Sequence, residues 1–144
     1  MKRPRIVILI VSAVILLVLG VSVYETTPVS MSDVLPDDNW TKAQIFIYKS
    51  NETQAIDIEG AKLEQLLTAL NGAVVNNGAK FRGMSPPFFH IHLQENNGPG
   101  TLIYVLEDGR ISIAVDCDTD HYRYFQGGEA LYQAILQLAV QPSL

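Results

Sequence analysis

The first and longest hydrophobic segment of the chain covers residues 6–23, IVILIVSAVILLVLGVSV, and contains no charge. As a helix rising about 1.5 Å per residue, it covers most of a bilayer core of roughly 30 Å. Three basic residues precede it directly: Lys2, Arg3 and Arg5. The flank after it carries Glu25 and no nearby Lys or Arg. The positive-inside rule therefore predicts a cytoplasmic N-terminus and places the chain after Tyr24 outside the cytoplasm.

We interpret residues 1–24 as an uncleaved signal anchor that holds the protein in the cell membrane through residues 6–23. A cleaved signal peptide is the alternative, because such peptides also combine a basic start, an apolar stretch and small residues at the cleavage site. Gly20 and Ser22 would be the small residues before a cut at Val23. Cleavage would leave a secreted protein instead of a membrane protein.

The segment after the anchor has a different pattern. Residues 25–39, ETTPVSMSDVLPDDN, are rich in Pro, Ser, Thr and Asp and show no hydrophobic period. This composition predicts a stalk that separates the membrane from an extracytoplasmic domain over residues 40–144.

Within residues 40–144, apolar positions recur with periods typical of strands and helices. Strands are predicted at 44–48, 53–58, 88–93, 101–106, 110–115 and 122–125, and helices at 60–71 and 129–140. The first helix carries one apolar stripe: Leu63, Leu66, Leu67, Leu70 and Val74. Tight turns, above all Asp108-Gly109, join most of the strands. The order β-β-α-β-β-β-β-α predicts an α+β fold, an antiparallel sheet of about six strands with two helices packed on one face.

Charge and cysteine content narrow the function classes. All fifteen acidic residues but only seven of the ten basic ones follow the anchor, so the outer part carries a net charge of −8. Such a surface is unsuited to nucleic acid or anionic lipid. Cys117 is the single cysteine, so the domain has no internal disulfide and must be held together by its core.

The pattern His90-Ile91-His92 is the most suggestive chemistry in the chain. Alternate residues of a strand share a face, so the two imidazoles lie side by side and could supply two metal ligands. A third ligand would come from His121, Asp116 or Asp118. The simpler interpretation is a solvent-facing pair opposite a core face made by Phe89, Ile91 and Leu93. We expect no metal and no cofactor.

The segment Asp116-Cys117-Asp118-Thr119-Asp120 begins like a calcium loop, but His121 and Gly127 stand where an EF-hand has its glycine and its glutamate. An acidic solvated turn is therefore expected. Cys117 lacks a catalytic flanking sequence, and we interpret it as a half-buried thiol.

The second half of the domain is rich in aromatic residues, which either fill the core or form a recognition surface. Tyr122 and Tyr124 share a strand face with Arg123 opposite, which makes these three residues candidates for binding.

The layout resembles small membrane-anchored or exported bacterial proteins of unknown function, a kind common in Gram-positive bacteria. The features that carry the resemblance are Lys2-Arg3-Pro4-Arg5, Ile45-Phe46-Ile47-Tyr48, Leu102-Ile103-Tyr104-Val105 with Asp108-Gly109-Arg110, and Glu129-Ala130-Leu131-Tyr132. The resemblance implies an extracytoplasmic location and a non-enzymatic role, and it assigns no site residue.

The sequence therefore predicts a membrane-anchored extracytoplasmic domain that binds a protein or another envelope component. It would sense, inhibit or scaffold that partner. The alternative is a metal-dependent extracytoplasmic hydrolase that uses His90 and His92.

Overall fold

The computed structural model describes residues 3–36 and 39–140 of the chain. The first helix, α1 (Arg3–Thr26), contains an apolar stretch of 18 residues, Pro4–Val21, none of which is buried against the rest of the protein. This helix is long and apolar enough to span a membrane, although a signal sequence has the same properties. The N-terminal apolar helix is thus confirmed, and its orientation stays a prediction. Lys2 of the basic flank lies outside the described residues.

The remaining described residues form one sheet and three further helices. The strands are β1 (Pro28–Ser30), β2 (Trp40–Tyr48), β3 (Thr53–Ile58), β4 (Val74–Asn77), β5 (Phe88–Glu95), β6 (Thr101–Leu106), β7 (Ile111–Ala114) and β8 (Arg123–Gln126). The helices are α2 (Met31–Val34), α3 (Gly60–Gly72) and α4 (Glu129–Val140). The sheet order is β1-β4-β8-β7-β6-β5-β2-β3, and all neighbouring strands are antiparallel. The α+β class is confirmed, with eight strands in the described chain instead of about six.

The predicted stalk is wrong for residues 28–35, which belong to the folded domain. β1 pairs with β4, with Val29 opposite Val75. In α2, Met31 is fully buried, and its amide donates to the Ala73 carbonyl at 2.9 Å. Three strand residues are too few to show an alternating pattern, and their partner strand is distant in the chain, so composition alone suggested a linker. Residues 37–38 of the predicted stalk lie outside the described residues.

The first amphipathic helix, α3, has close to its predicted extent of 60–71, but the assignment of Val74 to its apolar stripe is wrong. Ala73 has an extended backbone (φ −74°, ψ 136°), and Val74 is 61% exposed in β4. Val74 fits the helical spacing of the stripe only by coincidence, because Val74 and Val75 belong to the next strand, β4. The other stripe residues do face the core: Leu63, Leu66 and Leu70 are buried and Leu67 is half-buried.

The core lies between the helices α3 and α4 and one face of the sheet. The pairing register places Ile45, Ile91, Ile103 and Ile113 in one row across four strands, and each is completely buried. Fully burying an aliphatic side chain stabilises a fold by about 1.5–3 kcal/mol. Phe89, Ile91 and Leu93 point to this face, as the alternation in β5 predicted. The buried side chains of α3 and α4 belong to the core cluster on this face.

The connection between β4 and β5 crosses the opposite face of the sheet. At its start, the Gly78 amide donates to the Tyr124 carbonyl at 3.0 Å. Phe81 then packs edge-on against the Tyr124 ring, with centroids 5.1 Å apart. Its last part, Pro86-Pro87, borders a hollow with Leu106 and leads into β5. Residues 78–87 therefore cover β8, β7 and β6, whereas β5, β2 and β3 have no such cover from the described chain.

Candidate binding surface

Strand pairing brings aromatic side chains together on the sheet face opposite the helices. One row across five strands consists of Phe46, His90, Tyr104, Ser112 and Tyr124. Neighbouring strands lie about 4.8 Å apart, so these side chains contact one another across the sheet. We call the whole set the aromatic face; its ring-bearing members are Phe46, Tyr48, Phe81, Phe88, His90, Tyr104, Tyr122 and Tyr124.

His90 is the centre of a stack of rings. Its imidazole lies 4.2 Å from the Tyr104 ring with an interplanar angle of 10°, and 5.7 Å from the Phe46 ring with an angle of 27°. Next to it, Tyr48 stacks on Phe88 at 4.5 Å and 13°. Aromatic pairs at such distances add about 0.5–1.5 kcal/mol each beyond their buried area. The result is a pre-ordered apolar surface over β2, β5 and β6.

Beyond Tyr104 the rings are no longer parallel to one another. The centroids of Tyr104 and Tyr122 are 6.4 Å apart at an angle of 52°, and those of Tyr122 and Tyr124 are 6.3 Å apart at 42°. Phe81 stands at 74° to Tyr124. These rings enclose a pocket of about 170 Å³, which Gly83, Met84 and Ser112 complete.

Burial shifts the pKa of three titratable groups of the aromatic face. It lowers the pKa of His90, and the neighbouring charge of His92 lowers that pKa further. It raises the pKa of the Tyr104 and Tyr122 phenols, and the nearby tyrosines add to this effect. The Nε2 atom of His90 is buried and has no hydrogen-bond partner among the described residues.

His92 lies on the same sheet face as His90 but in a different environment. Its Nε2 atom is 3.2 Å from the Pro99 carbonyl oxygen and 3.7 Å from the Cys117 sulfur. The Cys117 thiol donates to the same carbonyl at 2.8 Å. Burial, followed by the charge of Asp116, raises the pKa of this thiol. A thiol with a raised pKa is not an activated nucleophile.

The residues predicted as metal ligands do not assemble into one group. His121 pairs with Asp118 at 2.8 Å on an exposed turn, and Asp116 is exposed with a positive φ of 56°. His90 and His92 share one face, as the sequence predicted, but no group of three or more His, Cys, Asp or Glu residues in the described part of the chain could hold a metal ion.

The three residues predicted for binding lie on the two opposite faces of β8. Tyr122 and Tyr124 belong to the aromatic face, whereas Arg123 lies on the other side of β8, with its guanidinium 5.3 Å from the Phe125 ring centroid. Phe46, Tyr48 and Phe81 were missed as surface residues. The alternation in β2 separates Phe46 and Tyr48 from the core residues Ile45 and Ile47, but only the pairing register shows that they lie beside His90.

Comparison of this chain with protein families, with curated proteins and with solved structures finds no match.

Proposed function

We propose that this protein is a single-pass, membrane-anchored extracytoplasmic domain that acts by binding another envelope component through its aromatic face. The observation that carries the proposal is the position of the rings. They lie on the sheet face opposite the core that α3 and α4 complete, where β2 and β5 carry Phe46, Tyr48 and His90. These three side chains are half-buried and so remain partly accessible to a partner, and aromatic side chains dominate the energetics of protein interfaces.

The distance between the anchor and the domain supports a partner close to the membrane. The apolar stretch of α1 ends at Val21, and β1 begins at Pro28. Residues 22–27 span roughly 9 Å as a helix, and the headgroup layer on each side of a bilayer is roughly 5–8 Å thick. An inserted α1 would hold the β1 edge at the membrane surface. The net charge of −8 on the outer part favours a protein or another neutral or cationic partner over nucleic acid.

Site-specific photo-crosslinking in native membranes tests the proposal. A photo-reactive amino acid replaces Phe46 on the aromatic face in one variant and Glu64, which is exposed on α3, in the matched control. We expect a discrete adduct from position 46 that is absent from position 64. Equal adducts at the two positions, or none at either, would contradict binding through the aromatic face.

The proposed location has its own test. A reporter that is active only outside the cytoplasm, fused after Leu144, should be active because the basic residues before α1 keep the N-terminus inside. An active cytoplasmic reporter at the same position would refute the orientation. The length and location of the mature chain separate the two alternatives. A full-length chain in the membrane fraction supports an uncleaved anchor, whereas a shortened chain outside the cell supports cleavage and secretion.

The metal-dependent hydrolase is the second candidate function. It would use His90 and His92, which share one face of β5, and the lowered pKa of His90 keeps its imidazole in the neutral form that metals bind. It has less support, because the described residues bring no third ligand to this pair. The zinc experiment below separates the two functions.

A further inference from the structure

We propose that the pocket between Phe81, Tyr104, Tyr122 and Tyr124 is an aromatic cage that binds a small organic cation of the quaternary ammonium type. The inference rests on the proposed binding function and specifies the ligand class for one part of the aromatic face. Cages of several rings are a known solution for this ligand, because the negative faces of the rings attract a cation that hydrogen-bonds weakly.

The arrangement of the rings fits a cage better than a flat platform. A cation interacts with a ring when it lies within about 6 Å of the centroid. Adjacent centroids of Tyr104, Tyr122 and Tyr124 are 6.4 and 6.3 Å apart, so a cation between two rings is within this distance of both. Phe81, Tyr104, Tyr122 and Tyr124 border the same hollow, with angles of 52° and 42° between neighbouring tyrosines and of 74° between Phe81 and Tyr124. A sugar that stacks on aromatic residues would instead need one broad, flat surface.

The pocket has the size of a small head group. Its volume of about 170 Å³ equals the liquid volume of roughly six water molecules, at about 30 Å³ each. A trimethylammonium group with a short tail has a similar number of non-hydrogen atoms. Gly83 lies in the crossing connection with a positive φ of 75°, which L side chains rarely adopt, and its backbone forms part of the wall.

The charges around the pocket favour a cation. The residues that line it include no Asp, Glu, Lys, Arg or His, and burial raises the pKa of the Tyr104 and Tyr122 phenols. The Arg110 guanidinium lies 5.0 Å from the Phe81 centroid, so this ring already takes part in a cation–π contact, and Asp108 offsets the charge of Arg110 through an ion pair of 2.8 Å. An acidic turn, Asp116 to Asp120, comes shortly before Tyr122 in the chain.

Calorimetric titration with a cation and its neutral isostere tests the cage directly. The full-length protein is kept in a polyoxyethylene detergent, which contains neither a quaternary ammonium group nor a sugar. The probes are choline chloride, with sodium chloride as the ionic-strength control, and 3,3-dimethyl-1-butanol, in which carbon replaces the charged nitrogen. We expect choline to bind about tenfold more tightly than the alcohol, since the interaction depends on charge. Equal binding of both probes, or no choline binding, would overturn the cage.

Three variants locate the site. Tyr122→Leu removes a ring and should weaken choline binding about tenfold, whereas Tyr122→Phe keeps the ring and should stay within about threefold of the parent. Tyr48→Leu, the same exchange elsewhere on the aromatic face, should bind choline like the parent. If Tyr122→Leu does not fold, Phe81→Leu in the crossing connection takes its place. Unchanged binding in the ring-removing variant would refute the site.

A neutral monosaccharide that binds in place of choline, and that loses its binding in Tyr122→Phe, would also overturn the cation assignment, because it would show recognition by the phenol hydroxyl. These outcomes are distinct from a failure of the proposed function. Position-dependent crosslinking at residue 46 without choline binding rejects only the cage. Choline binding without any crosslink at residue 46 rejects the partner surface over β2 and β5.

Discussion

Replacing Met31 with alanine tests whether the segment between α1 and β2 is part of the domain. The composition of residues 25–39 predicted a flexible stalk, in which such an exchange would have no effect. In the structure Met31 is completely buried within the main core cluster, and its backbone amide is bonded to Ala73. The two descriptions therefore predict different stabilities for the same variant.

The magnitude follows from the buried atoms. The exchange removes three non-hydrogen atoms from a side chain with 0% exposure. Transfer of these groups to water accounts for about 2 kcal/mol, and the remaining cavity adds to this, so we expect a loss of about 2–5 kcal/mol in the free energy of unfolding. With a urea dependence of about 2 kcal/mol per molar, the unfolding midpoint should fall by roughly 1–2.5 M.

Urea unfolding of the full-length protein in detergent, followed by fluorescence, measures this shift. Trp40 is the only tryptophan and is half-buried against the core, so its emission reports on unfolding. Asp33→Ala is the matched control, since Asp33 is exposed in the same short helix and should change stability by no more than about 0.5 kcal/mol. If Met31→Ala unfolds at the same urea concentration as the control, residues 28–35 do not pack as described.

Three further predictions concern the core and the histidines. Leu66→Ala or Ile135→Ala, each at a fully buried site, should lower the free energy of unfolding by about 2–5 kcal/mol. A urea midpoint equal to that of the parent would show that these side chains do not lie in the core. Burial lowers the pKa of His90, so below about pH 6.5 the unfolded state binds a proton that the folded state does not bind. Stability should therefore decrease as the pH falls through this range, and His90→Gln should reduce the slope of that decrease. An unchanged slope in His90→Gln would refute this account. We expect no stoichiometric zinc after dialysis; a zinc-induced rise in melting temperature that disappears when His90 and His92 are both Gln would instead support the hydrolase.

The residue patterns of single helices, strands and turns predicted much of the fold. The period of apolar residues in α4 predicted its bounds, 129–140, and the alternation in β5 separated Phe89, Ile91 and Leu93 from the two histidines. Asp108-Gly109 marked the turn between β6 and β7, where Gly109 has a positive φ of 90°. These features depend on neighbours in the chain, because a single turn or a single amphipathic element is specified by its own residues.

The sequence by itself thus determined the apolar N-terminal helix, the α+β class and the helical face of the core. Only the tertiary structure decided that β1 joins the sheet through β4, that the connection from β4 to β5 crosses the open face, and that Phe81, Tyr104, Tyr122 and Tyr124 enclose one pocket. The physical reason is the range of the interactions. Periodicity records which side of an element is buried, whereas strand register and long connections depend on contacts between distant residues, for which a single sequence carries no local signal.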